Sequence, residues 1–237
     1  IDTAATDSDT AVSPDTGAAA GESETGEDED RDGVVASEDC DDTRSDLGAI
    51  DEDPDCDGRP GTTTTIPEIQ SETLAVGTIV TIDNVVATTQ LTIDTSKGFF
   101  AQTDVGGPNN GIFIYMYDEV EYMPVVGDVV TITGEYREYY GLSELVIKDS
   151  ASITKTGSDG PVVTTVIDET PEDWEPFEGV LVEIRDVTVT DASRLLDWGS
   201  VELDIGCWID NGFGEFEAVD GATFASTTGP ISYAYGN

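Results

Sequence analysis

Histidine is absent from the 237 residues, and Lys and Arg together number 9 against 51 Asp and Glu, a formal charge of −42. The first absence removes the side chain that most often serves as general base and as zinc ligand near neutral pH. Paired carboxylates remain as a means of acid–base chemistry, but no spacing singles out such a pair, and the chain reads as non-enzymatic. The scarcity of cations weighs against nucleic acid and anionic lipid as partners, because a surface this acidic repels phosphates and attracts divalent cations and basic groups. No apolar run approaches bilayer-spanning length. The opening residues, Ile1-Asp2-Thr3, carry no charged and then apolar leader, so the expectation is a mature or trimmed polypeptide.

Cysteine is nearly absent too: Cys40 and Cys56 lie close together and Cys207 far away. In an oxidising compartment the first two would pair, leaving Cys207 free and buried. A bridge closing so short a loop contributes about 3 kcal/mol in the chain-entropy picture. The expected location is therefore secreted or on the outer cell surface, with a lipid anchor through a part outside this chain left open.

The charge that is present is uneven. Residues 1–60 hold 21 acids and 3 Arg, net −18, and residues 61–237 hold 30 acids and 6 bases, net −24, over nearly three times the length. Residues 1–27 are Thr, Ser, Ala, Gly and acid without an apolar period. They cannot bury enough surface to offset the entropy of ordering and read as a disordered stalk. Residues 28–58 form an acidic cysteine-bearing segment, and residues 59–67 read as a linker.

From residue 68 the texture is β. Short runs rich in Val, Ile, Thr and Tyr alternate with Gly, Asn, Asp and Pro: residues 77–88 (GTIVTIDNVVAT), 98–103 (GFFAQT), 111–117 (GIFIYMY), 128–133 (DVVTIT) and 143–147 (SELVI). Five strands at this spacing suit a small barrel. An internal repeat follows. Residues 77–88 match 179–190 (GVLVEIRDVTVT), and residues 127–141 (GDVVTITGEYREYYG) match 221–236 (GATFASTTGPISYAYG). The predicted fold class is all-β, with two tandem five-stranded barrels over 68–156 and 162–237. The second has no counterpart of 143–147, because only Asn237 follows Gly236. It is expected to be completed by chain beyond this sequence, or to leave an open edge to which a neighbour's strand adds, which is a route to self-association.

The acidic segment carries the clearest chemical motif. Asp28-Glu-Asp30-Arg-Asp32-Gly33-Val34 has the D-x-D-x-D-G spacing of an EF-hand-type calcium loop, with Asp39 at position twelve. Calcium (Ca2+) takes about six to eight oxygens, alternate Asp side chains on a tight turn supply them, and the residue after the Gly lends its carbonyl. On that template Asp28, Asp30, Asp32, the Val34 carbonyl and Asp39 are the ligands, and Val35 anchors the loop inward. Ala36 at position nine and Asp in place of Glu at twelve point to weak affinity, on the order of 10⁻⁴–10⁻³ M.

The continuation, Glu38-Asp39-Cys40-Asp41-Asp42 … Asp53-Pro54-Asp55-Cys56-Asp57-Gly58, resembles the acidic Asp-Cys-Asp-Asp … Asp-Cys-Asp-Gly repeat of bacterial, especially myxobacterial, surface proteins, described as metal-binding, and is similar in style to thrombospondin type 3 repeats. The resemblance implies a second site among Asp41, Asp42, Asp53, Asp55 and Asp57. Residues 68–237 in turn resemble the oligonucleotide/oligosaccharide-binding (OB) fold found beside the catalytic domains of secreted bacterial nucleases and in surface lipoproteins, on Gly98-Phe99-Phe100-Ala101-Gln102-Thr103, Gly111-Ile112-Phe113-Ile114-Tyr115, Val126-Gly127-Asp128-Val129-Val130, Gly134-Glu135-Tyr136 and Trp174 … Phe177-Glu178-Gly179-Val180-Leu181-Val182. That likeness admits an accessory role beside a nuclease domain. Phe99, Tyr115, Tyr117, Tyr136, Tyr139 and Tyr140 are the aromatics available to stack bases, but the basic groove that nucleic acid requires is missing. A protein or glycan at the cell surface is the expected partner.

Overall fold

The computed structural model describes residues 28–50, 52–53, 56, 58–90, 97–116, 122–147 and 152–232. The stalk expected over 1–27 lies outside them. Among the described residues the chain is mostly β, with a closed five-stranded barrel, a second sheet and two short α-helices. None of the described helices is long and apolar enough to cross a membrane.

The barrel is built from β2 (Ile79–Ala87), β3 (Gly98–Gln102), β4 (Gly111–Met116), β5 (Val129–Tyr139) and β6 (Leu142–Ile147). β2 pairs with β3 and β5, β3 with β4, and β5 with β6, all antiparallel; β4 and β6 run parallel and complete the ring. Period-two alternation makes β5 half-buried, with Val130, Ile132, Gly134 and Tyr136 facing inward. β6 is buried at all six positions. Ile82, Phe99, Ile112, Ile114, Ile132, Tyr136, Leu145 and Ile147 are the heart of the core. Each fully buried aliphatic side chain of this kind stabilises the fold by roughly 1.5–3 kcal/mol.

The segment expected to be a linker is structured. β1 (Thr62–Thr64) lies parallel to β2, and α1 (Ile66–Gln70) adds Ile66 and Ile69 to the barrel core. The cause is local. Thr65 and Glu68 form a capping box and Pro67 occupies the first turn, where its missing N–H costs nothing. Three β-branched Thr residues then extend naturally along the edge of β2. β7 (Ile153–Gly157) flanks β5 on the other side.

In the second sheet β9 (Leu181–Asp191) pairs antiparallel with β10 (Ser200–Leu203) and β12 (Thr223–Pro230) and parallel with β8 (Thr165–Ile167); β11 (Trp208–Asp210) pairs with β10. α2 (Leu195–Trp198) lies between β9 and β10. The positions matched in sequence also match in backbone. Gly77 N donates to Tyr136 O and Gly179 N to Ile231 O, each at 2.8 Å; Gly127 N donates to Ala87 O and Gly221 N to Val189 O, each at 2.9 Å. Asn84 and Asp186, at equivalent positions of β2 and β9, are both left-handed, with φ 53° and 52°. Short polar side chains tolerate that conformation best; the register of β2 against β5 shifts around Asn84, whereas β9 keeps its register against β12 past Asp186. Among the described residues the second sheet has no counterpart of β6.

Candidate metal centre

The acidic loop folds on its own carboxylates. Asp28 Oδ1 accepts from Arg31 N at 2.6 Å and its Oδ2 from Gly33 N at 3.3 Å; Asp30 Oδ1 accepts from Asp32 N at 3.1 Å and Asp32 Oδ1 from Val34 N at 2.8 Å. Side-chain-to-backbone bonds of this kind turn the chain without regular secondary structure. Gly33 takes φ 101°, which a side chain would resist. The outcome is a group of carboxylate oxygens, one each from Asp28, Asp30 and Asp32, that lie within 4.8 Å of one another.

Asp39 is 6% exposed. Its Oδ1 accepts from Asp41 N at 3.1 Å. Its Oδ2 is buried without a hydrogen-bond partner, as is Asp30 Oδ2. Two orphaned carboxylate oxygens are costly in a folded protein unless something positive meets them. Asp30's carboxyl is pushed above its usual range, first by burial and then by the negative charges of Asp32, Asp39 and Asp28, although the Asp32 N–H pulls it back. Oxygen-only donors of this kind suit a hard divalent cation such as calcium. Val34 and Val35 are both half-buried.

The remaining sequence candidates separate into distinct places. Asp41 Oδ1 accepts from Thr43 N and Oγ1, at 3.2 and 2.7 Å, and these bonds hold its carboxyl below the ordinary range. Asp42 Oδ1 accepts from Glu29 N at 2.9 Å and so ties the start of the loop to the segment behind it. Neither of them, nor Asp39, joins the Asp28–Asp30–Asp32 group, which stands alone as a metal-sized cluster among the described residues. Asp53 is also 6% exposed, and its Oδ2 accepts from Gly58 N at 2.7 Å, as Asp28 Oδ2 does from Gly33 N. Arg31 and Cys56 share a left-handed backbone, φ 64° and 54°, and Gly33 and Gly58 share positive φ, 101° and 84°. The described residues Asp53, Cys56 and Gly58 thus repeat the geometry of Asp28, Arg31 and Gly33. The shared D-x-D-x-D-G spacing was the signal for it, and sequence reasoning took this stretch from a resemblance instead. Asp55 and Asp57 lie outside the described residues.

A disulfide joins Cys40 and Cys56, with Cα atoms 5.3 Å apart. It bolts the residue that follows position twelve of the first loop to Cys56. Asp39 pairs with Ala49 in a β-bridge, and Leu47 is buried beneath. The segment is fastened to the barrel by Arg59, whose Nη1 sits 2.7 Å from both carboxylate oxygens of Asp83; Thr131 Oγ1 donates to Asp83 as well. A cleft of about 670 Å³ separates segment and barrel, and Asp46, Glu52 and Asp53 make its wall acidic.

The aromatics considered for base stacking divide too. Phe99 and Tyr136 are interior. Phe100, Phe113 and Leu142 form an outer cluster against which Tyr115 and Phe213 of the second unit pack, with the Phe100 and Phe213 rings 6.2 Å apart. Tyr139 and Tyr140 are exposed at the β5–β6 turn, and Tyr117 lies outside the described residues. Cys207 is a free, half-buried thiol that burial pushes up to about 11. No protein-family model matches the chain, and no curated protein matches it significantly.

Proposed function

We propose that the chain is a non-enzymatic, secreted or cell-surface binding and structural module whose acidic segment is ordered by calcium. Asp28, Asp30, Asp32, the Val34 carbonyl and Asp39 hold the ion, and the turn at Asp53 belongs to a weaker second site. The observation that carries this reading is Asp39 Oδ2, an orphaned oxygen on a nearly buried carboxylate at the twelfth loop position. Asp39's charge also acts on Asp30. Calcium binding there would tighten the loop against the Cys40–Cys56 bridge and hold the segment on the barrel.

The finer fold proposed is a pair of OB-type units. The ring order β2-β3-β4-β6-β5 with its one parallel pair supports this for the first unit, and the matched hydrogen bonds of β9 and β12 support it for the second. Phe213 covers the outer aromatic face of the first unit, which favours a protein or glycan ligand elsewhere over nucleic acid on that face. A second reading, self-association by strand addition to the second sheet, is favoured by the half-buried Trp174, Phe177, Ile209, Phe224 and Ile231 around its core.

Titration calorimetry of the full chain with calcium tests the main reading. Heat and a raised unfolding temperature are expected at millimolar calcium. Saturation to about ten times a millimolar Kd adds roughly 1.4 kcal/mol. Asp39→Asn should weaken both signals at least tenfold. No heat and no stabilisation of the wild-type chain would defeat the reading. Sedimentation in calcium tests the second: a monomer at high concentration rules it out.

A further inference from the structure

Where the two units meet, the backbones of Gly111 and Gly179 touch so closely that a Cβ on either would overlap the other's main chain. Polar side chains seal this joint. Gln102, fully buried, donates from Nε2 to Val163 O at 2.5 Å and accepts from Leu181 N at 3.2 Å. Glu178, fully buried as well, accepts through Oε1 from Ser143 N at 2.9 Å and from Gln70 Nε2 at 3.2 Å; Gln70 Nε2 also donates to Gly111 O at 2.7 Å. One carboxyl thus gathers α1, β6 and, through Gln70, the start of β4 from the first unit onto the strand entry of the second. Its other oxygen, Oε2, is buried and meets no partner.

Among the described residues the charges facing Glu178 are all negative. Glu175 comes from its own 3-10 turn (Glu175–Phe177) and Glu138 from β5, while α1 contributes the neutral Gln70, with Glu72 just beyond its end. Glu138 Oε1 already accepts from Tyr136 Oη at 2.6 Å and from Ser143 Oγ at 2.5 Å. An ionised carboxylate here would carry an unpaired oxygen out of water, beside two like charges and without a cation, an arrangement that folded proteins avoid.

We infer that Glu178 is a proton-operated latch: with a proton on Oε2 it locks the two units into one rigid body, and on ionising it loosens the joint between them. Burial pushes the carboxyl up to about 8, against the weaker pull of Ser143 N–H and Gln70. The folded state therefore keeps a proton that the unfolded chain has already released. Stability contributed by this site falls as pH rises from the ordinary carboxyl value through about 8, and levels off above it.

The test is scanning calorimetry together with hydrogen exchange of the full chain between about pH 6 and 9.5 at fixed calcium. One bound proton makes the folding equilibrium fall by about tenfold per pH unit up to the latch value and no further. Protection of the Ser143 and Leu181 amides should drop over the same range. Glu178→Gln keeps an acceptor for Ser143 N and carries no charge, so its step above pH 7 should vanish and both amides should stay protected at high pH. Glu144→Gln removes another carboxyl that burial raises, to about 7, and should leave the step in place. A wild-type profile flat above pH 7, a step that survives Glu178→Gln, or one abolished by Glu144→Gln would each overturn the latch.

Discussion

The two β units share two matched pairs of backbone hydrogen bonds, yet they are sealed to different degrees. In the first, β6 bridges β4 and β5, and among the described residues only Leu74 and Tyr122 pack partly buried against the core. In the second, Val182, Val187, Val201 and Leu203 are buried, but a wide ring of apolar side chains around them, Trp174, Phe224 and Ile231 among them, remains half open. Among the described residues, a strand with every residue buried is thus present beside the closed core and absent beside the open one. The comparison also reverses at one matched position. Asp83 in β2 receives Arg59 of the acidic segment, whereas its equivalent in β9 is Arg185, which pairs with Glu183 at 2.7 Å. The second unit lacks the anchor that holds the segment on the first.

Core truncation should expose this contrast most strongly. Leu145→Ala, in the closing strand, should cost about 2–5 kcal/mol, because its surroundings are tightly enclosed. Leu203→Ala should fall at the low end of that range or below it, since half-exposed neighbours can collapse into the gap. Denaturant unfolding of both variants checks this, and equal costs would mean that the second core is as well sealed as the first. A middle-sized effect tests the shared plan. Asn84→Val and Asp186→Val each force a β-branched residue into the left-handed region and should each cost about 1–2 kcal/mol. Unequal losses in thermal unfolding would break the equivalence of the two strands. The smallest effect is expected from Arg59→Ala, about 0.5–1 kcal/mol for a partly exposed ion pair. It should raise hydrogen exchange in residues 47–61 and leave the second sheet untouched.

Much of the first unit was legible in the sequence because its strands are punctuated by Gly, Asp and Asn and filled with Val and Ile. Residues 77–88 and 143–147 fall on β2 and β6 almost residue for residue. β1 was missed because four consecutive Thr residues carry no alternation, although Thr65 and Glu68 with Pro67 between them did advertise the start of α1. At the candidate site, the Asp28–Asp30–Asp32 group follows from spacing, since the loop is made by near neighbours. The orphaned oxygen of Asp39 does not, because its burial depends on the bridge to Ala49 and the packing of Leu47. Glu178 and Gln102 were illegible for the same reason on a larger scale. Polar residues at a strand's entry or end look solvated until partners such as Gln70 or Val163 arrive from far along the chain.

The chain's 3 tryptophans, Trp174, Trp198 and Trp208, all fall in the second unit. Red-edge excitation of intrinsic fluorescence therefore watches that unit alone, while tyrosine emission is weighted towards the barrel, since only Tyr233 and Tyr235 of the 8 tyrosines lie in the second unit.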